Sequence, residues 1–168
     1  MGTVAMSTIY VIGSLRNPRI TEVGNALRAA GYDTFEDWHA GGKEADDEWQ
    51  RYEKERGRGY KEALAGYHAQ NIFKFDLHHL NRSDAAVLVM PAGRSAHLEL
   101  GYIIGQGKLG YVLFDAEPDR FDVMYNFASA VCFSLGELVD ELDMIKRKDK
   151  KVAEQVREWR KAPWNADL

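Results

Sequence analysis

The sequence predicts an α/β fold, a three-layer sandwich on a mostly parallel five-stranded sheet. Three observations carry that expectation. Short apolar runs at 9–12, 85–90 and 111–114 alternate with longer stretches of helical periodicity. The clearest run, Ala85-Ala86-Val87-Leu88-Val89-Met90, is apolar at successive positions, as a strand covered on both faces must be. The chain has 168 residues, 45% of them hydrophobic. That supports one domain with a real core, burying roughly 70% of its unfolded surface.

The elements follow in order. Ile9-Tyr10-Val11-Ile12 is β-branched and aromatic and stops at Gly13-Ser14, so it reads as the first buried strand. Pro18 opens a helix whose apolar face is Val23, Leu27 and Ala30, and Gly31 closes it. Residues 32–35 form a second strand. A polar stretch, 36–58, begins with a loop at Gly41-Gly42 and reads as a partly helical insertion over the end of the sheet. Tyr60, Ala63, Leu64 and Tyr67 share one helical face. Residues 69–82 form another helix, with Ile72, Phe75, Leu77 and Leu80 as its apolar positions. The third strand, 85–90, ends at Pro91-Ala92-Gly93. Ser95 is placed to cap the next helix, which runs to about Gln106. Gly101 and Gly105 would let that helix approach the sheet closely. Strands at 111–114 and 130–133 flank a loop or short helix at 118–127. Two amphipathic helices end the chain, the first starting near Ser134. The topology expected is flavodoxin-like (Rossmann-like), order 2-1-3-4-5. The domain is single, with a core over about 8–140 and a helical extension over 141–168.

Composition excludes several classes. The net charge is −4, so the whole molecule is not an electrostatic nucleic-acid binder. Residues 143–161 carry eight Lys or Arg against four Asp or Glu, which reads first as a solvated helix face. Cys132 is the only cysteine, so no internal disulfide or cysteine-rich zinc site forms. The five histidines, His39, His68, His78, His79 and His97, show no zinc spacing, and no metal or cofactor is expected. No run is long enough for a membrane helix. The first eight residues lack a basic region and an apolar core, so a cytoplasmic protein is expected.

In a sheet of this order, ligands bind beyond the C-terminal strand ends. Residues 13–19 and 91–99 meet there. Glu99, between Leu98 and Leu100, is expected in the first turn of its helix, where the dipole favours the carboxylate. Such a group can act as a nucleophile or merely complement the helix. Asp76, between Phe75 and Leu77, reaches the same face only if its helix begins near the site. Asp84 lies at the N-terminal end of strand three and reads as structural. Tyr10 is buried and needs a partner, which a carboxylate in the cleft would supply.

Residues 9–14, Asp76 and the run Gly93-Arg94-Ser95-Ala96-His97-Leu98-Glu99-Leu100-Gly101 resemble the nucleoside 2-deoxyribosyltransferase superfamily, which includes the nucleoside 5′-monophosphate N-hydrolases. The resemblance implies scission of the bond between a sugar carbon and a base nitrogen. It implies that Glu99 attacks C1′, that Tyr10 orients Glu99, and that Asp76 protonates the leaving base. A carboxylate beside C1′ stabilises an oxocarbenium-like transition state, while the second carboxyl must stay protonated. One position departs from the pattern. Six residues before the nucleophile the transferases carry aspartate and the N-hydrolases serine, whereas this chain has Gly93, with Ser95 two residues on. Arg16, Arg19 and Arg94 beside the Gly13-Ser14 amides either bind a 5′-phosphate or are ordinary surface charge. Phe35 and Trp38 follow strand two, where the base should lie, either stacking on it or packing in the core. In the transferases an amide from a neighbouring subunit completes the site. Its counterpart here lies between Asp122 and Asn126, which implies a homodimer or larger assembly. The expected partners are a nucleoside or nucleotide and a free base, with transfer, hydrolysis and simple nucleotide binding all open.

Overall fold

The structure is a computed structural model and describes residues 7–161. Five parallel strands form one sheet in the order β2-β1-β3-β4-β5. The strands are β1 (Thr8–Ile12), β2 (Asp33–Phe35), β3 (Ala85–Val89), β4 (Leu109–Leu113) and β5 (Ala130–Cys132). The predicted fold class and strand order are both observed. Every residue of β3 is buried, as its unbroken apolar run requires.

Period-two alternation divides the sheet's side chains between two cores. Ile9, Val11, Val87, Val89, Tyr111 and Leu113 face α1 (Arg19–Ala29) and α6 (Leu135–Lys161). Tyr10, Ile12, Ala86, Leu88 and Val112 face α4 (Tyr67–Arg82) and α5 (Arg94–Gly105). Tyr10 therefore points into the layer that carries Asp76 and Glu99.

Local signals place the helices. Gly31, at φ 85°, follows the end of α1 in a backbone region that favours glycine. Thr8 N–H donates to Asp84 Oδ2 at 2.8 Å, and the Asp84 amide returns a bond to the Thr8 carbonyl. Asp84 thus ties β1 to the start of β3.

The 36–58 segment is partly helical, with a 3-10 turn (Asp37–Gly41) and α2 (Ala45–Glu55). Several other local expectations are corrected. Tyr67 does not share a helix with Tyr60. Gly66 interrupts the chain between α3 (Tyr60–Leu64) and α4. Ser95 does not cap α5, because Gly93 holds the N-cap position and Ser95 sits inside the first turn. Gly101 and Gly105 are exposed, and a Cβ added at either would meet nothing within 4 Å, so they do not bring α5 to the sheet. The close approach is made from the strand side: a Cβ on Gly110 would lie 2.7 Å from Ile104 Cγ1 and 2.9 Å from Leu100 Cδ1. Finally, a single continuous helix, α6, stands where two were expected, up to Lys161. Its Leu138 and Leu142 are buried against the α1-side core, and residues 162–168 of the expected extension lie outside the described residues.

Candidate active site

Tyr10, Asp76 and Glu99 come from three different elements, β1, α4 and α5, and converge in one layer. The Tyr10 hydroxyl hydrogen-bonds Asp76 and lies within the electrostatic reach of Glu99. Its proton is held far more tightly than in a free tyrosine, first by burial and then by the two neighbouring carboxyls. Asp76 Oδ1 is buried with no hydrogen-bond partner among the described residues.

Both carboxyls are shifted upward. Burial pushes Glu99 up to about 8, and the neighbouring charge of Asp76 adds to it. Burial pushes Asp76 up to about 6, against the opposing hydrogen bond from Tyr10. This corrects the expectation for Glu99. α5 begins at Arg94, so Glu99 is in its second turn, where the dipole has faded. Desolvation decides the protonation state instead. Between about pH 6 and 8 the pair holds one proton, shared between two groups of one coupled site.

Past the C-terminal ends of β1 and β3, Ser14, Arg16, Asn17, Pro18, Arg19, Pro91, Ala92 and Gly93 line a cleft of about 370 Å³. None of the three converging residues lines it. The cleft is the meeting of the β1–α1 and β3–α5 loops that the strand order predicts. Arg19 Nη1 is buried without a hydrogen-bond partner among the described residues. Arg16 pairs with Asp47 of α2 at 2.5 Å, and Ser14 Oγ accepts the Arg16 amide at 3.2 Å. Gly13 adjoins the cleft, where an added Cβ would sit 2.3 Å from Ile20 Cδ1. Arg94 is exposed and lines, with Gly93, His97 and Leu98, a shallower depression.

The aromatic residues are engaged within the chain. Phe35 stacks on His79, centroids 3.7 Å apart and 10° from parallel, with Tyr10 at 5.2 Å and Phe75 at 5.7 Å. Trp38 Nε1 donates to the Val11 carbonyl at 2.9 Å and packs against both cores. Asp122 caps the 3-10 turn Val123–Phe127 by accepting the Met124 amide, and Asn126 Nδ2 donates to the Val123 carbonyl. Both are exposed.

Two residues at this end of the sheet carry more than the sequence revealed. His97 Nδ1 lies 2.7 Å from the Gly93 carbonyl, so that nitrogen carries a proton, and Nε2 lies 3.0 Å from the Tyr125 hydroxyl. The pair ties the 123–127 turn to the start of α5. Asn17 is 3% exposed and joins the two cleft loops. Its Nδ2 donates to the Val89 and Pro91 carbonyls, each at 3.3 Å, and its Oδ1 accepts the Arg19 amide at 3.0 Å. An Asn just before a helix-opening proline was the available signal. Asn17→Ala strands one buried and one part-buried acceptor and a helix-end amide, so it should lower stability by about 2 kcal/mol. Thermal unfolding checks this, and an unchanged Tm would show the loops hold without it.

No protein-family model matches the chain, and no curated protein sequence does. Solved structures do share its fold. The fold resembles that of a 2-deoxyribosyltransferase. That enzyme, from Bacillus psychrosaccharolyticus, superimposes with a TM-score of 0.54 at 15% identity, over 79% of this chain and 90% of its own. A conserved protein from Enterococcus faecalis gives 0.55 at 14% identity, over 83% and 99%. A CMP N-glycosidase from Clostridium botulinum gives 0.49 at 13% identity, over 82% and 99%. Among the described residues, no helix is long and apolar enough to cross a membrane, and no cluster of His, Cys, Asp and Glu could hold a metal ion.

Proposed function

We propose that this protein is a nucleoside 2-deoxyribosyltransferase-like enzyme. It cleaves the N-glycosidic bond of a (deoxy)nucleoside and transfers the sugar to another base. The observation that carries the reading is the convergence of Tyr10, Asp76 and Glu99, with both carboxyls shifted upward by burial. Two acids sharing one proton are what this reaction needs. A Glu99 oxygen attacks C1′ as the bond from C1′ to the base nitrogen breaks. The bonding pair leaves with the base, which takes the proton of Asp76. An acceptor base then attacks C1′, returns a proton to Asp76 and releases Glu99 as carboxylate. Positive charge developing at the sugar favours the ionised form of Glu99 and so moves the shared proton to Asp76.

A second reading, hydrolysis of a nucleoside 5′-monophosphate, is favoured by the cleft. Arg16 and Arg19 give it two cations beside the Ser14 loop, suited to a phosphate. Water then replaces the acceptor base in the second step. A homodimer or larger assembly is part of the proposal, with Asp122 or Asn126 reaching a neighbouring site. The exposure of Phe121, Val123, Met124 and Phe127 around them supports it.

The test is incubation with a panel of nucleosides and nucleotides, with and without a free acceptor base, followed by chromatography. Exchange products support transfer, and base release without exchange supports hydrolysis. Binding without turnover would leave a nucleotide-binding module and remove the catalytic reading.

A further inference from the structure

The helix α2 brings an acid to the cationic wall of the cleft. Its first turn carries Asp46, Asp47 and Glu48, and Asp47 Oδ2 meets Arg16 Nη2 at 2.5 Å across 31 residues of sequence. Arg16 and Arg19 both line the cleft, and Arg19 Nη1 has no hydrogen-bond partner among the described residues. The cleft thus holds two cations, one of them engaged by an internal anion. We propose that Asp47 is a specificity-determining residue that occupies Arg16 in place of a ligand phosphate and so sets the preference between a nucleoside and its 5′-monophosphate. This rests on the reading of the cleft as the phosphate-binding end of the site.

Carboxylate and phosphate compete for the same guanidinium. An arginine fork binds carboxylate and phosphate with the same donors, so the two cannot both hold Nη2 in full. A phosphate carries about −1.5 to −2 charges near pH 7 and is also repelled by a carboxylate nearby. Asp47 and Arg16 are 58% and 62% exposed, so their pair is weak enough for a ligand to displace. A neutral nucleoside has no such stake in Arg16. Removing the acid should therefore change the two ligands' affinities unequally, by roughly threefold to tenfold in favour of the phosphate.

The alternative is that the pair only anchors α2 over the protein. The experiment separates the two. Isothermal titration calorimetry is run on the full chain, as wild type, Asp47→Asn and Asp46→Asn. The probes are deoxynucleosides, their 5′-monophosphates and inorganic phosphate. The expected result is a threefold to tenfold rise in the ratio of monophosphate to nucleoside affinity for Asp47→Asn. Asp46→Asn, which removes the same charge one residue away, should give a smaller rise. The Asp47→Asn effect should shrink in high salt, since the groups are exposed. An unchanged ratio, or a fall in monophosphate affinity, would overturn the role of Asp47. An equal rise with Asp46→Asn would overturn it too, leaving only bulk charge. Glu99-dependent base release alongside an unchanged ratio would sink this inference alone. Failure of every variant to bind any of the probes would take the reading of the cleft down with it.

Discussion

Glu99→Gln is expected to abolish base release and, at the same time, to stabilise the folded protein in alkaline buffer. The loss of activity follows from the nucleophile. Glutamine keeps the shape of the side chain but has no anion to form a bond with C1′, so turnover should fall about a thousandfold or more. The gain in stability follows from burial. Glu99 titrates near 8 in the folded protein rather than at its ordinary 4.5. A carboxyl raised by folding favours the fold only in its neutral form. Its burial penalty is absent below about pH 4.5, grows as pH rises, and is complete above about 8. Glutamine is neutral throughout and never meets that penalty.

The difference between variant and wild type should therefore be near zero at about pH 4. By about pH 8.5 it should reach the order of 3 kcal/mol, a shift of several degrees in Tm. Thermal unfolding at the two pH values measures it. A Glu99→Gln protein no more stable in alkali than in acid would mean that the carboxyl is solvated, and the catalytic reading would lose its basis. A structural acid held by a salt bridge predicts the opposite sign, because removing it would destabilise the protein at high pH.

The sheet was legible because its signals are local and redundant. The run at Ala85–Val89 has no polar side chain to offer solvent, and Gly31 stops α1 where only a positive φ continues the chain. The convergence of Tyr10, Asp76 and Glu99 was legible only through the resemblance, since 23 residues separate Asp76 from Glu99 and no spacing rule joins α4 to α5. The errors share a cause: they required knowing which face of a helix meets the sheet. Gly101 and Gly105 looked like packing glycines, yet the close contact belongs to Gly110 on the strand. Glu99 looked like a first-turn acid because the start of α5 was placed by Ser95, whereas extended Gly93 begins it. That shift of two residues moves Glu99 out of the dipole's reach and gives burial the deciding role. The engagement of Arg16 by Asp47 could not be read either, because a long-range ion pair leaves no periodic trace.

The pH dependence of kcat/KM should be bell-shaped, with limbs near 6 and 8. Below the lower limb both carboxyls are protonated and no nucleophile remains. Above the upper limb both are ionised and the leaving base finds no proton. The pair is active while it holds one proton, whichever oxygen carries it in the free enzyme, so the limbs belong to the pair. Tyr10→Phe then gives a signed test. The Tyr10 hydrogen bond lowers the pKa of Asp76 against the effect of burial, so its loss should move the acid limb to higher pH and narrow the bell. Asp76→Asn removes the proton donor and should slow release of an ordinary base. A sugar carrying a leaving group that departs without protonation should recover much of the rate, because attack by Glu99 is untouched. If the activated substrate gains nothing over the ordinary one in Asp76→Asn, the proton comes from elsewhere. If Tyr10→Phe moves neither limb, the hydroxyl contributes packing alone and the coupled pair must be oriented by other contacts.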